Sequence, residues 1–504
     1  MKAMYAGVLH HLFPTLHVLS ICMMTLPRAA GGNGIQCGDS KSATCEKLEA
    51  VLPGKVSYPN TTTYESSVES YFYQTARQRP NCIVSPTSAE DVAEAIRIIA
   101  GSVQTKFAIR SGGHSPHPEM SNTDPGVTID LRGLNSIVLS EKDDVLQLGA
   151  GLEWDKVYEY LDSINRTAIG ARESSVGVGG FVSGGGLSFF SPERGFACDN
   201  VVNFEVVLAS GEIVNANAES HAELFRALKG GQSNFGVITR FDVLTLVEST
   251  LWGGAIYYPL DATENAQLAA FLDLKSGKYD PLAAIEMSFL YTVNNSFVSN
   301  NMVYLRPIVN GSGLKRFADI QPQLQNTMRI DTTKNFGEEL HSGQPKNQYA
   351  IFACTTFFIT PTILKKINTA WRAASEGLAD IDNLMSVLTY QQFPPQRSAN
   401  AMGFDPNANL HEKLVVLIIS TYWAQPDADA YTKVKAIIKD VIDQIEEFTK
   451  QENAYHPFKY VNYAGFWQDP YKSYGPEAYE RLNKVSKKYD PTGTFQKQAV
   501  GFKL

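Results

Sequence analysis

Apolar residues at Val92, Ala93, Ile96 and Ile99 recur at helical spacing and predict an amphipathic helix in the stretch that follows Pro86. Thr87 and Glu90 stand three positions apart ahead of that run. This is the pattern of a capping box, in which the hydroxyl covers an orphan amide and the carboxylate reaches back. Ile83-Val-Ser-Pro86 before the helix and Lys106-Phe-Ala-Ile-Arg110 after it read as extended, so the unit is strand, helix, strand. Short strands follow at Val127-Thr-Ile-Asp-Leu131, Ser136-Ile-Val-Leu139 and Val145-Leu-Gln-Leu148, then a helix from Trp154 to about Leu161. Val202 to Leu208 and Glu212 to Asn215 flank the turn Ala209-Ser-Gly211, which predicts a hairpin. Leu224, Phe225 and Leu228 mark one more short helix.

From about residue 250 to 450 the pattern changes. Glycine thins out, and long apolar strands such as Val415 to Thr421 alternate with amphipathic helices such as Tyr431 to Phe448. The shift suggests a second domain. Near the end, Tyr479, Leu482, Val485 and Tyr489 share one side of a helix from Pro476 to Tyr489, and Asp490-Pro-Thr-Gly493 stops it. The whole reads as an α+β architecture without internal repeats.

The 504 residues suffice for two to four domains, or two large ones. With 44% hydrophobic and 19% charged residues, the chain is globular rather than disordered. A net charge of −8 removes the basic footprint that nucleic acid requires. Lys2, the apolar tract Val18 to Leu26 and the small residues Ala29-Ala-Gly-Gly32 have the order of a secretory signal over residues 1–32, with a membrane anchor as the rival reading. No later stretch reaches about 18 unbroken apolar residues, so no membrane association is expected once the signal is removed. Sequons at Asn60, Asn165, Asn294 and Asn310 support a secreted, N-glycosylated protein. Six cysteines contain no CxxC pair, which disfavours zinc ribbons and thioredoxin-like chemistry, and no metal site is expected. Cys22 leaves with the signal; Cys45 and Cys82 are the favoured disulfide, with Cys37 a competitor for either.

Three glycine clusters carry the candidate chemistry. Arg110-Ser111-Gly112-Gly113-His114-Ser115 follows a strand, and its paired glycines let backbone amides approach an anion such as a diphosphate. Between residues 177 and 186 there are six glycines, more than one turn needs. They read either as a flexible loop or as bare backbone against which a flat or extended cofactor lies. The arrangement does not match a GxGxxG leading into a helix, so a Rossmann nicotinamide site fits poorly. Lys229-Gly-Gly-Gln-Ser-Asn-Phe-Gly-Val237 is the third cluster.

These motifs, with Val127 to Leu131 and the tail Tyr460-Val-Asn-Tyr463, resemble in order the berberine-bridge-enzyme-like FAD-linked oxidoreductases, most closely fungal secreted or secondary-metabolism members. The likeness runs from about residue 45 to the C-terminus. It implies a two-part FAD-binding domain of the vanillyl-alcohol-oxidase (PCMH) type, from residues 33–248 and 455–504. Residues 249–454 would form a substrate domain whose antiparallel sheet, covered by helices, roofs the flavin.

By the same resemblance His114 carries FAD on the flavin 8α carbon, a neutral imidazole nitrogen adding to the electrophilic C8-methylene tautomer. Ser111, Gly112, Gly113, Ser115, Val176, Gly177, Gly179, Gly180, Ser183, Gly184, Gly185, Val237 and Arg110 would line the cofactor. His117, without flanking glycines, reads as a loop histidine. Relatives with a second tether carry a cysteine where this chain has Glu173, so a single attachment and a narrower cavity are implied. Cys198 is expected to be a buried free thiol. Val176 occupies the position where a small residue accompanies oxidases, which implies dioxygen as acceptor and hydrogen peroxide as product.

Tyr463, from the final strand, would take the substrate proton, with Tyr460 as fallback and Asn462 touching the flavin or its ribityl chain. A phenol of pKa near 10 needs a cationic neighbour for that task. The NYxD continuation seen in relatives is broken by Ala464-Gly465-Phe466, which leaves any acidic partner unassigned. Tyr390, Gln391, Gln392, His411, Tyr422 and Trp423 are polar or aromatic candidates of the middle segment without assigned roles. The implied activity is oxidation of a hydrophobic natural-product intermediate by alcohol oxidation, dehydrogenation or oxidative cyclisation. The alternatives are a secreted carbohydrate oxidase, and a flavoprotein that templates a cyclisation without net redox change.

Overall fold

The helix expected after Pro86 forms over Ala89–Ala100, but its cap sits one residue later than Thr87. Ser88 Oγ accepts from the Asp91 amide at 3.3 Å, and the Asp91 carboxylate accepts from the Thr87 amide at 2.8 Å. With the cap at Ser88, Asp91 rather than Glu90 stands three positions on, and its carboxylate also pairs with Lys55. The structure, a computed structural model, describes residues 42–504 apart from 143, 248, 249 and 406. The expected signal segment and Cys37 lie outside the described residues.

That helix is the crossover of a four-stranded sheet. Cys82–Val84 and Phe107–Arg110 both run parallel to Val127–Asp130, and Val56–Ser57 pairs antiparallel at one edge. A disulfide joins Cys45, on the helix Ala43–Val51, to Cys82 at the start of a strand, which is the pairing the sequence favoured. The chain end returns to this sheet: Phe107 exchanges backbone hydrogen bonds with Gln498 and Val500 at 2.9 and 2.8 Å.

A second sheet runs in the order Ile137–Leu139, Val145–Gly149, Val237–Val247, Val201–Val207, Ile213–Asn217, and its last two strands are the expected hairpin. Between these elements the glycine-dense passage is not a plain loop. It contains a short helix, Val178–Ser183.

The middle segment forms a nine-stranded antiparallel sheet. Its central order is Thr250–Pro259, Ser296–Tyr304, Ala283–Thr292, Met385–Gln392, Leu414–Trp423, Tyr349–Phe358. Opposite residues in antiparallel pairs share a face. Ile285, Met287, Phe289, Leu388, Leu417 and Ile419 therefore pack under the helices Leu260–Ser276, Pro361–Glu376 and Ala428–Gln451 in one apolar core. Glu286, Ser288, Thr389, Gln391, Ser420 and Tyr422 fall on the other face. No described helix is long and apolar enough to cross a membrane.

Candidate active site around His114

The first two glycine clusters meet backbone to backbone. A Cβ on Gly112 would lie 2.7 Å from the Gly177 Cα, and one on Gly177 would lie 2.3 Å from the Gly112 nitrogen. Part of the glycine density thus serves loop against loop rather than protein against ligand. Ser111 Oγ fastens the joint, donating to the Ala150 carbonyl at 2.7 Å and accepting from the Gly179 amide at 3.1 Å. Gly113, at φ +74°, turns the loop so that its carbonyl accepts from the Phe72 amide at 3.2 Å.

Arg110 lies beneath this loop and points inward. Its guanidinium donates to the Ser67 carbonyl at 2.6 Å and to Ser70 Oγ at 2.8 Å, stacks 3.8 Å over the Tyr71 ring and faces Asp130. These contacts make it a support of the loop. Gly180, by contrast, is exposed and has nothing within 4 Å of its missing side chain, while Ser111, Ser115, Val176 and Gly179 nearby are partly exposed. A bare, locked backbone beside a partly exposed imidazole fits an extended dinucleotide such as FAD.

Further along, Gly184 makes room for Asn462, whose Oδ1 would lie 2.0 Å from an added Cβ. Asn462 Nδ2 donates to the Phe181 carbonyl and to the Tyr460 hydroxyl, each at 3.0 Å. The Tyr460 hydroxyl also accepts from the Gly186 and Leu187 amides at 2.9 and 3.1 Å. Tyr460 is buried, and burial pushes its phenol far above the usual range. Ser183 and Val237 are likewise buried, the latter paired with Val207, and Gly185 adopts φ +112°.

His114 keeps 19% of its side chain exposed. Its ring lies 4.1 Å from that of Phe72 and meets Tyr73 edge-on at 5.6 Å. Nε2 is 3.0 Å from Glu173 Oε2, and Glu173 Oε1 is 2.6 Å from His341 Nδ1. Burial alone would raise the Glu173 carboxyl, but the His114 imidazole beside it and the hydrogen bonds from His341 and the Ser175 amide outweigh it and hold the group well below the usual carboxylate range. His117, three residues on, is a loop residue turned inward; burial pushes it down to about 4, so it is neutral.

The polar face of the large sheet supplies the remainder. Tyr463 is in a turn, its amide bonded to the Tyr460 carbonyl at 2.9 Å, and not in a final strand. The two rings meet edge to face with centroids 4.7 Å apart, Tyr460 buried in the core and Tyr463 packed against it with its hydroxyl at the sheet. Arg172 Nη2 donates to the Tyr463 hydroxyl at 2.9 Å and to Gln391 Oε1 at 2.8 Å, and pairs with Glu286 at 3.1 Å. Burial still raises the Tyr463 phenol, with Arg172 pulling down and Glu286 pushing up. Beside this group Phe72, Tyr73, Ala350, Val387 and Tyr422 cluster with the partly buried Leu290, Phe352 and Met385, an apolar wall that touches His114 through Phe72 and Tyr73.

Of the middle-segment candidates, Gln391 and Tyr422 therefore reach the site. Tyr390 and Trp423 face the helices, Gln392 bonds the Ile285 amide, and His411 packs on Tyr279. Cys198 is buried and free, as expected, and Cys354 is a second such thiol. Sequence reasoning missed Arg172, Glu286, His341 and Phe72. Only Arg172 had a signal, its position next to Glu173.

Residues 80–217 match a family model described as an FAD binding domain. The chain is 34% identical over 449 residues to the FAD-dependent monooxygenase FUP4 of Fusarium proliferatum, covering 84% of each sequence. Its fold is similar to that of 6-hydroxy-D-nicotine oxidase from Arthrobacter nicotinovorans, with a TM-score of 0.73, 19% identity and coverage of 92% of this chain and 99% of that one. Glucooligosaccharide oxidase from Acremonium strictum, whose FAD is described as 6-S-cysteinyl, 8α-N1-histidyl, aligns with a TM-score of 0.72 at 17% identity, covering 92% of this chain and all (100%) of the other. The likeness to the Fusarium protein extends over most of both sequences, and the chain belongs to the FAD-linked oxidoreductases with the berberine-bridge-enzyme-like, PCMH-type fold.

Proposed function

We propose that this oxidoreductase is an oxidase that takes a hydride from a hydrophobic, oxygen-bearing natural-product intermediate, using FAD attached through His114 and dioxygen as the final acceptor. One observation carries the reading: the apolar wall of Phe352, Tyr422 and Leu290 adjoins the Tyr463, Arg172 and Gln391 group on the side where His114 emerges. When bound, FAD supplies the hydride acceptor and the path of electrons to oxygen, which leaves as hydrogen peroxide. The residues of the chain bind, orient and handle the proton. The wall holds the substrate body and excludes water, while Gln391 and Arg172 fix the Tyr463 hydroxyl toward the substrate oxygen. Tyr463 accepts the hydroxyl proton as phenolate, a form that Arg172 favours and burial opposes, so the rate rises with pH toward the alkaline side. Tyr460 and Asn462 hold this turn against the glycine passage, and Val176 lines the cofactor space.

A sugar would call for many polar partners, and the wall offers few, which favours the hydrophobic substrate over the carbohydrate reading. The name of the Fusarium relative supports a second reading, insertion of one oxygen atom into the product. Turnover under ¹⁸O₂ separates them: unlabelled product with one hydrogen peroxide per turnover supports the oxidase, and label in the product supports monooxygenation. A flavin that stays oxidised when substrate is added without air overturns both in favour of a templated cyclisation. We also assign the chain to the secretory pathway as a glycoprotein; Asn60, Asn165, Asn294 and Asn310 are all exposed, and the Cys45–Cys82 disulfide suits an oxidising compartment. Loss of mass on treatment with an N-glycosidase tests this.

A further inference from the structure

Each oxygen of Glu173 faces an imidazole, that of His341 across a hydrogen bond and that of His114 across a close charge contact outside hydrogen-bond geometry. His114 Nε2 lies 3.0 Å from Oε2, and His341 Nδ1 lies 2.6 Å from Oε1. Ser175 fixes the carboxylate from a third side, its amide donating to Oε1 and its hydroxyl to Oε2, each at 3.0 Å. His341 comes from the helix Thr333–Ser342 of the middle segment, so distant stretches of chain converge on one buried acid that keeps 12% of its side chain exposed. A buried carboxylate aimed at an imidazole edge selects the tautomer protonated on the near nitrogen.

We infer that Glu173, braced by His341 and Ser175, is a positioning residue for flavin attachment: its charge beside Nε2 favours the His114 tautomer protonated there, which leaves the Nδ1 lone pair free to form the bond, and it stabilises the positive charge that the ring gains as the bond forms. The inference rests on the attachment proposed above. The net change removes one hydrogen from the imidazole and one from the 8α methyl group and makes one N–C bond. The two electrons released pass through the flavin to dioxygen, which takes up the two protons as hydrogen peroxide. A carboxylate held so far below its usual range is a weak base, so its action is electrostatic, and the proton given up by the ring is one of the two that leave in hydrogen peroxide. His341, raised by its bond to Glu173, keeps the acid in place without competing for the attacking nitrogen.

The test follows flavin attachment rather than turnover. Full-length apoprotein from a riboflavin-starved host is mixed with FAD in air, and the flavin remaining on the acid-precipitated polypeptide is measured over time. The wild type should become fully labelled, and His114→Ala should release all its flavin. Glu173→Gln keeps the reach of the side chain but loses the charge and can present an N–H to the ring. It should still bind FAD non-covalently, with attachment slowed by about a hundredfold or more. Glu173→Asp should restore part of the rate, and His341→Asn should cause a smaller loss than Glu173→Gln. Attachment at the wild-type rate in Glu173→Gln overturns the role of Glu173 and leaves the His114 linkage standing. Complete release of flavin from the wild type overturns the linkage and this inference together. If Glu173→Gln does not fold, Glu173→Asp decides: slowed attachment with FAD binding intact supports the role, and an unchanged rate overturns it.

Discussion

The two faces of the large sheet are written in alternate residues of the same strands, yet they do opposite work. Along one strand Ile285, Met287 and Phe289 enter the helix-covered core, while Glu286, Ser288 and Leu290 turn toward the flavin-binding half of the chain. The neighbouring strands repeat the division: Leu388 and Tyr390 against Thr389 and Gln391, and Leu417 and Ile419 against Ser420 and Tyr422. The first face is uniform and held by burial. The second mixes charge, amide, hydroxyl and aromatic groups, an arrangement that a purely structural face would not favour, because each buried polar group needs a partner. For Glu286 and Gln391 those partners are Arg172 and Tyr463, from outside the sheet, while Ser288 and Thr389 bond each other.

Substitutions on the two faces should separate stability from chemistry. Phe289, fully buried under the helices, should cost about 3–5 kcal/mol of unfolding free energy as Phe289→Ala, read by denaturant titration. The turnover rate per bound flavin should remain near that of the wild type. Tyr463→Phe should do the reverse. Loss of the hydroxyl should lower kcat by about a hundredfold, near 2.7 kcal/mol, with flavin content unchanged. Equal losses of kcat in the two variants would dissolve the distinction between the faces.

The glycine clusters, His114 and the tyrosine pair were legible in sequence because they depend on local backbone needs or on short motifs. The helix Pro476–Tyr489 and the hairpin ending at Asn217 were legible for the same reason, their periodicity being local. The sheet faces were not. A strand such as Leu414–Trp423 is buried on both sides, so it reads as a continuous apolar run and hides which residues meet the site. Arg172, Glu286 and Gln391 come from three separated stretches, and their meeting is a product of tertiary register alone. In the glycine-dense passage the missing side chains of Gly177 and Gly184 make room for Gly112 and Asn462, a tertiary need that the sequence does not display. The expected final strand failed because the Tyr460–Tyr463 stretch closes on itself through one backbone hydrogen bond.

Charge on the site face can be varied in both directions, which gives a finer test of Tyr463 as the proton acceptor. Its phenol is raised by burial, lowered by Arg172 and raised by Glu286. A base must be deprotonated to act, so below its pKa the rate climbs tenfold per pH unit, and at fixed pH a raised pKa means a slower enzyme. Arg172→Met removes the lowering influence and should slow turnover at pH 8 by about tenfold or more, one unit or more of displacement toward alkaline pH.

Glu286→Gln removes an influence of the opposite sign while keeping a hydrogen-bonding oxygen for Arg172. Its phenol should ionise at lower pH, and turnover at pH 8 should rise by about two- to threefold, a shift of less than about half a unit. Glu286 acts on Tyr463 through a guanidinium that it also holds in place at 3.1 Å, so its contribution is the smaller of the two. The sign, rather than the size, decides. A purely positioning role for Glu286 predicts slower turnover once its grip on Arg172 weakens, whereas the electrostatic role predicts faster turnover and a pH–rate limb displaced toward acid. Slower turnover in both variants, with unshifted limbs, would assign the phenol to substrate binding and move proton transfer to another group on this face.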